Sequence, residues 1–340
     1  MKNLSFYILI ILLFQSKCTF VSSSSSLDTF KIQYTNKEYT SQVGNVTINP
    51  VETLNTSSKN IVPLVQRQNY ELIFDLLSQD YQYLKMKIFH CDWNWIPSKL
   101  NDLEFLSDYN EFTIANYTFS QSNFSEYVTY RTIIPKLKVS GNYIIYVYKD
   151  DSTAIPLFTR KFIVYENLTF IETNISRPNQ PKYSRTHQRI NLKINYDDLE
   201  TSNSQENFKV VLIQNRDWKN ALMALPPTQF IPNEKTLIFN YFNNEMIFPG
   251  LNNFRFFDAR TISYRGQNVM AIQPSTRGLE LILEIEYPKK GLAFSQSLNT
   301  ELNGTFYTQT LDINTRDFNS EYVWINFRID MDKINGDVFI

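Results

Sequence analysis

The chain has few of the residues on which catalytic and metal sites depend. Its 340 residues include two cysteines and two histidines, and no glycine-rich phosphate loop, Gly-x-Ser-x-Gly elbow or Walker pattern is present. His90 and His187 are far apart in sequence, and Cys91 beside His90 points to the opposite face of an extended strand. The sequence therefore predicts no metal site, no cofactor and no catalytic residue.

Concentrated charge of one sign is also missing. Lys and Arg number 33 and Asp and Glu 34, for a formal net charge of -1 at pH 7. Proteins that bind nucleic acid carry clustered basic residues, so nucleic acid is not an expected partner. A hydrophobic content of 43% with 20% charged residues is typical of a globular protein. Separately, no small-molecule substrate is expected.

Residues 1–26 have the pattern of an export signal followed by a serine-rich leader. Lys2 precedes an apolar run from Leu4 to Phe14 that is too short to span a bilayer. Lipid attachment at Cys18 stays an alternative, although Lys17 stands where a small residue is usual. After removal of the leader Cys91 is the sole cysteine, which excludes an intramolecular disulfide and favours a buried apolar role for that thiol.

Short alternating segments predict an all-β fold of tandem immunoglobulin-like β-sandwiches. A first sandwich is expected over 27–166, because strands recur there at short intervals between turn signals. The predicted strands are Val46–Pro50, Tyr70–Leu76, Tyr83–His90, Tyr127–Ile134, Asn142–Lys149 and Arg160–Tyr165. The best helical pattern is the short stretch Ser98–Phe105.

The remaining chain is expected to form a second sandwich. Residues 167–185 are polar and proline-bearing, which predicts a linker, and 186–333 resume the strand pattern. Residues 334–340 resemble a turn and the start of a possible further strand-rich region. The predicted strands include Ile190–Ile194, Lys209–Ile213, Leu237–Tyr241, Asn253–Phe257, Thr261–Tyr264, Leu281–Tyr287, Thr305–Thr310 and Tyr322–Ile329.

The stretch from His90 to Phe112 interrupts the strand pattern with a long polar connection that carries two tryptophans. Such connections are uncommon in compact domains and often functional. Trp93 and Trp95 would share a face of an extended segment and could form one apolar surface, for a sugar or for a protein, unless they are buried under the loop. Asp92 is expected to fix the turn by accepting from backbone amides. The candidate partner-binding residues are Trp93, Asn94, Trp95, Leu103, Phe105 and Tyr109.

Two sets of charged residues have alternative interpretations. Asp92 with Asp102 and Glu104 could form the carboxylate pair of a glycoside hydrolase, but acids in a polar loop are more often solvated or capping residues. In the second half, a structural Arg–Asp ion pair is predicted in preference to a ligand site. Its candidate residues are Arg216, Asp217, Arg255, Asp258 and Arg260.

Several motifs together resemble one known family. The run HCDWNW followed by PSKLNDLEFLSDYNE, then SGNYIIYVYKDD with TRKFIVYE, then QNRDW and PGLNNFRFFDAR are similar to the type IX secretion system plug protein family of the Bacteroidota. Each motif alone is weak, but their order is preserved from about Leu27 to the last residue. Family members usually extend further, with another strand-rich region.

The resemblance implies a periplasmic, non-enzymatic protein, exported by its signal and peripheral at the inner face of the outer membrane. Its partner would be the outer-membrane translocon barrel protein, whose periplasmic opening it would occlude. The alternative from another class is a secreted carbohydrate-binding or glycan-active accessory protein, which the pair Trp93 and Trp95 suggests.

Overall fold

The computed structural model describes residues 32–51, 60–65, 69–121, 124–151, 154–201, 204–250, 256–287, 310–311 and 320–330. Several sequence predictions lie outside the described residues: the leader 1–26 with Cys18, Arg255, most of the strands at Asn253–Phe257 and Thr305–Thr310, and the tail 334–340. In the described ranges, no helix combines the length and apolar character needed to cross a membrane.

Residues 37–165 form two sheets. The strands are β1 Lys37–Glu38, β2 Val43–Pro50, β3 Ile61–Pro63, β4 Tyr70–Leu76, β5 Leu84–Cys91, β6 Phe112–Ile114, β7 Asn116–Phe119, β8 Val128–Ile133, β9 Gly141–Lys149 and β10 Pro156–Tyr165, with helix α1 at Asp102–Phe105. The first sheet has the order β1-β10-β9-β5-β6, and β3 pairs in parallel with β10. The second sheet has the order β2-β4-β8-β7. The six strands predicted from period-two alternation are all present, with ends that differ by a few residues.

The two sheets pack face to face because the apolar residues of each strand alternate. Phe74 of β4 stacks on Tyr130 of β8 at 5.2 Å and meets Phe158 of β10 edge-on at 4.9 Å, which joins the second sheet to the first. All three side chains belong to one buried cluster that also contains Ile88 and Ile145. An all-β fold is confirmed, whereas the immunoglobulin-like strand order stays a prediction.

The second half consists of smaller sheets. Its strands are β11 Phe170–Ser176, β12 His187–Asn195, β13 Val210–Leu212, β14 Leu222–Leu225, β15 Gln229–Ile231, β16 Thr236–Phe239, β17 Ile247–Pro249, β18 Val269–Ser275, β19 Gly278–Glu286 and β20 Val323–Ile329. Short helices are α2 Ser204–Asn207 and two 3-10 turns, Trp218–Asn220 and Pro232–Glu234. One sheet has the order β11-β12-β16-β15 with β17 beside β12, β13 and β14 form a hairpin, and a third sheet has the order β18-β19-β20.

Two details of the second half differ from the sequence expectation. Phe170–Ser176 lies in the predicted linker 167–185 but pairs with β12 as strand β11, an exposed edge strand. Thr261–Tyr264 is not a strand, because the segment bends. The Ser263 amide donates to the Thr261 hydroxyl and not to the backbone of a neighbouring strand. A single second sandwich over 186–333 stays a prediction.

The segment just before β20 lies against the second sheet of the first half. The Tyr322 hydroxyl donates to Asp75 Oδ2 of β4 at 2.7 Å, and Ser125 Oγ donates to the Tyr322 carbonyl at 2.9 Å. The close approach requires Gly44, where a Cβ would stand 2.3 Å from the Tyr322 hydroxyl. Burial raises the pKa of Asp75 above its ordinary value, although the hydroxyls of Thr129 and Tyr322 donate to it. The ionised form of the Asp75 carboxyl is therefore stabilised by the hydrogen bonds that Thr129 and Tyr322 donate to it.

Candidate functional site

The connection that follows β5 begins with a tight turn built on Asp92. Its Oδ1 accepts from the amides of Asn94 at 2.8 Å and Ile96 at 2.9 Å, as the sequence predicted. The Asp92 amide donates to the Ile96 carbonyl at 2.8 Å, and Asn142 Nδ2 donates to the Asp92 carbonyl at 2.9 Å. The turn is thereby closed internally and tied to β9.

This turn sends the two tryptophans in different directions. Trp95 has φ of +64°, in the left-handed region that costs a bulky residue free energy, and its side chain is 7% exposed. Trp93 is 40% exposed. The two indoles therefore do not form one continuous surface, because the segment is a turn and not an extended strand; Trp95 is buried, as the other alternative left open by the sequence had it. A sugar-binding platform was suggested by two indoles on one face, and the structure does not have that arrangement.

Trp95 packs against the second half of the chain. Its ring meets that of Trp218 nearly at a right angle, with centroids 5.0 Å apart. Lys161 Nζ of β10 lies 4.2 Å from the Trp95 centroid and 4.7 Å from the Trp218 centroid. Burial lowers the pKa of Lys161 from its ordinary value. We call Trp95, Lys161 and Trp218 the tryptophan–lysine clamp.

The clamp joins three of the motifs that carry the family resemblance. Trp95 belongs to HCDWNW, Lys161 to TRKFIVYE and Trp218 to QNRDW. They meet over the outer face of the first sheet, where Cys91 and Ile144 form a small buried core with Trp95. Sequence reasoning missed the pairing of Lys161 with the indoles, although all three side chains lay in the quoted motifs.

Cys91 is a packing residue of this small core. Its side chain is buried, and burial raises the pKa of the thiol to about 12. A thiol with such a pKa carries little of the thiolate that a nucleophile needs. His90 packs between Phe105 and Tyr143, and burial lowers its pKa. The structure therefore gives Cys91 the packing role that the sequence favoured, and it gives His90 a packing role as well.

Helix α1 directs one apolar side chain inward and one outward. Phe105 is buried against Tyr143, with ring centroids 5.9 Å apart. It therefore cannot serve as the partner contact that the sequence proposed. Leu103 of the same helix is 69% exposed. The Asn101 amide donates to Glu104 Oε2 at 2.6 Å, so Glu104 caps the helix start.

Two polar residues at the end of the connection hold it against the first sheet. Asn110 is buried and makes two hydrogen bonds to the backbone of Ile88: Oδ1 accepts from the amide at 2.9 Å, and Nδ2 donates to the carbonyl at 2.7 Å. Glu111 pairs with Lys85 Nζ at 2.8 Å, and this contact lowers the pKa of Glu111 to about 2. Neither anchor is predicted by the sequence.

Five apolar residues of this connection remain exposed to solvent. They are Trp93, Ile96, Leu100, Leu103 and Tyr109, and Tyr109 is the most exposed at 77%. We call these five residues the exposed loop set. Asn94, between Trp93 and Trp95, is also exposed. The backbone beneath the set is held by the Asp92 turn, α1 and Asn110, so the set is presented by an ordered scaffold.

Two carboxylates of the connection accept hydrogen bonds from backbone amides. Asp92 is engaged with two backbone amides and Glu104 with one, which is the capping role that the sequence favoured over hydrolysis. Asp102 occupies the first turn of α1. In the described ranges, no group of three His, Cys, Asp or Glu residues is arranged to hold a metal ion.

The predicted pairing of Arg260 with Asp258 occurs, and it lies within a turn. Arg260 forms a two-pronged pair with Asp258, at 2.9 Å from Nε and 2.7 Å from Nη2, and this contact lowers the pKa of Asp258. Asp217 accepts from the Lys219 amide and from the Asn220 side chain, and so caps the 3-10 turn that carries Trp218. Arg216 has φ of +63° in the turn before it.

Comparison with known proteins finds a family model that matches residues 30–166 and a solved structure with a similar fold. Residues 30–166 match the family model described as Type 9 secretion system plug protein 1st domain. The crystal structure of a hypothetical protein from Parabacteroides merdae aligns with a TM-score of 0.80 and 24% identity, over 89% of this chain and 76% of that one. At that identity the likeness shows the fold alone. No curated protein matches the chain.

Proposed function

We propose that the chain occludes the periplasmic opening of an outer-membrane protein translocon, because residues 30–166 match the family model of the first domain of the type 9 secretion system plug protein. The proposed partner is the translocon barrel protein, and the proposed location is the periplasmic side of the outer membrane. The mechanism is steric: a folded body covers the pore when no substrate is in transit. No chemical step is required.

The arrangement of the connection after β5 supports this proposal most directly. A docking surface needs exposed anchors on a scaffold that does not reorganise when the partner binds, because ordering side chains and loops on binding costs affinity. The exposed loop set supplies aromatic and aliphatic anchors. The tryptophan–lysine clamp and Asn110 fix the backbone from below. We therefore assign the exposed loop set as the contact surface for the translocon.

Cross-linked capture from outer membranes tests the partner. The wild-type chain is expected to co-purify with a large β-barrel translocon, identified by mass spectrometry. A variant with Trp93→Ser, Leu103→Ser and Tyr109→Ser is expected to recover at least about tenfold less barrel, because truncated hot-spot residues each cost more than about 1 kcal/mol.

A matched variant controls for the loss of exposed apolar residues in general. Val65, Phe242 and Tyr264 are 84%, 78% and 59% exposed and lie outside the connection. The variant Val65→Ser, Phe242→Ser and Tyr264→Ser should retain capture. Recovery of the wild-type chain only as a free monomer would argue against the translocon as partner, whereas equal losses in both variants would remove the connection as contact surface.

A further inference from the structure

Strand β11 is a long and exposed sheet edge. It has seven residues, Phe170–Ser176, and its only neighbour among the described strands is β12. Phe170, Ile171 and Ile175 are 71%, 53% and 64% exposed. Because Ile171 and Ile175 lie opposite Ile194 and Ile190 of β12, both isoleucines are on the core side of the sheet and extend its apolar surface past the edge.

The other edge of the same sheet is protected. β15 has only three residues, Gln229–Ile231, and prolines at 226, 227 and 232 flank it. Short length and proline are common devices against pairing with another chain, as are lysines. β11 contains neither proline nor lysine. A strand of this kind is a template for a further strand.

We infer that β11 pairs in antiparallel fashion with β11 of a second copy of this chain. The strand is self-complementary when Thr173 lies on the two-fold axis. Ile171 then stands opposite Ile175 of the second copy, and Thr173 opposite its own equivalent, all on the core side. Apolar pairs and Thr–Thr pairs are favourable across strands. Among the described residues nothing else covers this apolar edge, and in the dimer the edge of one copy covers that of the other.

The same register also gives compatible cross-strand pairs on the opposite face of the strand. Glu172 stands opposite Asn174 of the second copy, so no like charges are placed directly across from one another, an arrangement that would be destabilising. Lys193 of β12 is the direct cross-strand neighbour of Glu172 within each copy. Phe170 stands opposite Ser176. A shift by one residue would bring apolar side chains to the polar side.

The pairing does not rest on the proposed translocon contact, which involves the connection after β5. One strand pair is a small interface, so a weak, concentration-dependent dimer is expected. Sedimentation velocity of the purified full chain across a concentration series should show a monomer–dimer equilibrium. A chain that stays monomeric up to about 1 mM overturns the inference.

Charged substitutions at Thr173, on the proposed two-fold axis, test this pairing register. Thr173→Lys places two ammonium groups face to face and should raise the dimer dissociation constant at least about tenfold. Thr173→Glu should do the same, and an equimolar mixture of the two variants should recover dimers. Such recovery shows that both variants are folded. The control is Thr118→Lys on β7, an exposed edge strand of the first half, which should leave the dimer unchanged.

Three results would contradict the inference. A wild-type dimer that Thr173→Lys leaves intact would place the interface elsewhere. Loss of dimers in both single variants without recovery in the mixture would contradict the two-fold register. A monomeric wild type whose Thr173→Lys variant loses capture of the translocon barrel would show that β11 receives a strand of the barrel protein and not of a second copy.

Discussion

The coupling free energy between Lys161 and Trp218 is the most informative quantity to measure on the fold. Trp218→Ala removes the perpendicular contact with Trp95, worth about 0.5–1.5 kcal/mol, and the cation contact with Lys161, worth about 0.5–2 kcal/mol. The free energy of unfolding should therefore fall by about 1–3 kcal/mol, allowing for partial compensation. Lys161→Met retains most of the aliphatic stem but removes the charge from both rings.

A double-mutant cycle isolates the cation contact. Urea unfolding followed by far-ultraviolet circular dichroism gives the four free energies, and we expect a coupling of about 0.5–2 kcal/mol between Lys161→Met and Trp218→Ala. The control cycle combines Lys161→Met with Trp324→Ala, whose ring instead contacts Arg277, and should show no coupling. A coupling below about 0.3 kcal/mol for the first cycle would refute the clamp as a stabilising contact.

Three further predictions concern single residues. Asn110→Ala should cost about 2–4 kcal/mol in urea unfolding because it orphans a buried amide and carbonyl, whereas exposed Asn94→Ala should cost under about 0.5 kcal/mol; equal costs would contradict the anchor. Tyr322→Phe should cost about 1–3 kcal/mol, since it removes a donor from buried Asp75, and an unchanged stability would deny that contact. Because burial lowers the pKa of His90, the folded state disfavours its proton, and stability should fall as pH drops below about 6.5; a His90→Gln variant with the same pH profile would contradict this assignment.

The strands of the first half could be predicted because their side chains alternate between a buried and an exposed face. Tyr70–Leu76 was predicted with the bounds that the structure shows, and Asn142–Lys149 differs by one residue. The Asp92 turn also follows from local chemistry, since an Asp side chain can accept from amides two to four residues ahead. Local patterns of this kind depend on few distant residues.

Other features depend on contacts far along the chain. The inward orientation of Trp95 requires a left-handed backbone and a partner more than a hundred residues later, Trp218, and neither is visible in a period-two pattern. The stretch that forms β11 resembles a linker because polar residues and prolines are frequent over 166–181, whereas the strand is defined by its pairing with the distant β12. Asn110 acts through hydrogen bonds to the backbone of Ile88, and an asparagine at that position does not by itself predict these bonds.

The conductance of the isolated translocon barrel in a planar bilayer tests the proposed occlusion most directly. Addition of the wild-type chain on the periplasmic side should reduce the conductance to near baseline. The variant with Trp93→Ser, Leu103→Ser and Tyr109→Ser should leave the pore open at the same concentration. A conductance that stays unchanged while the wild-type chain is bound to the barrel would contradict the plug function.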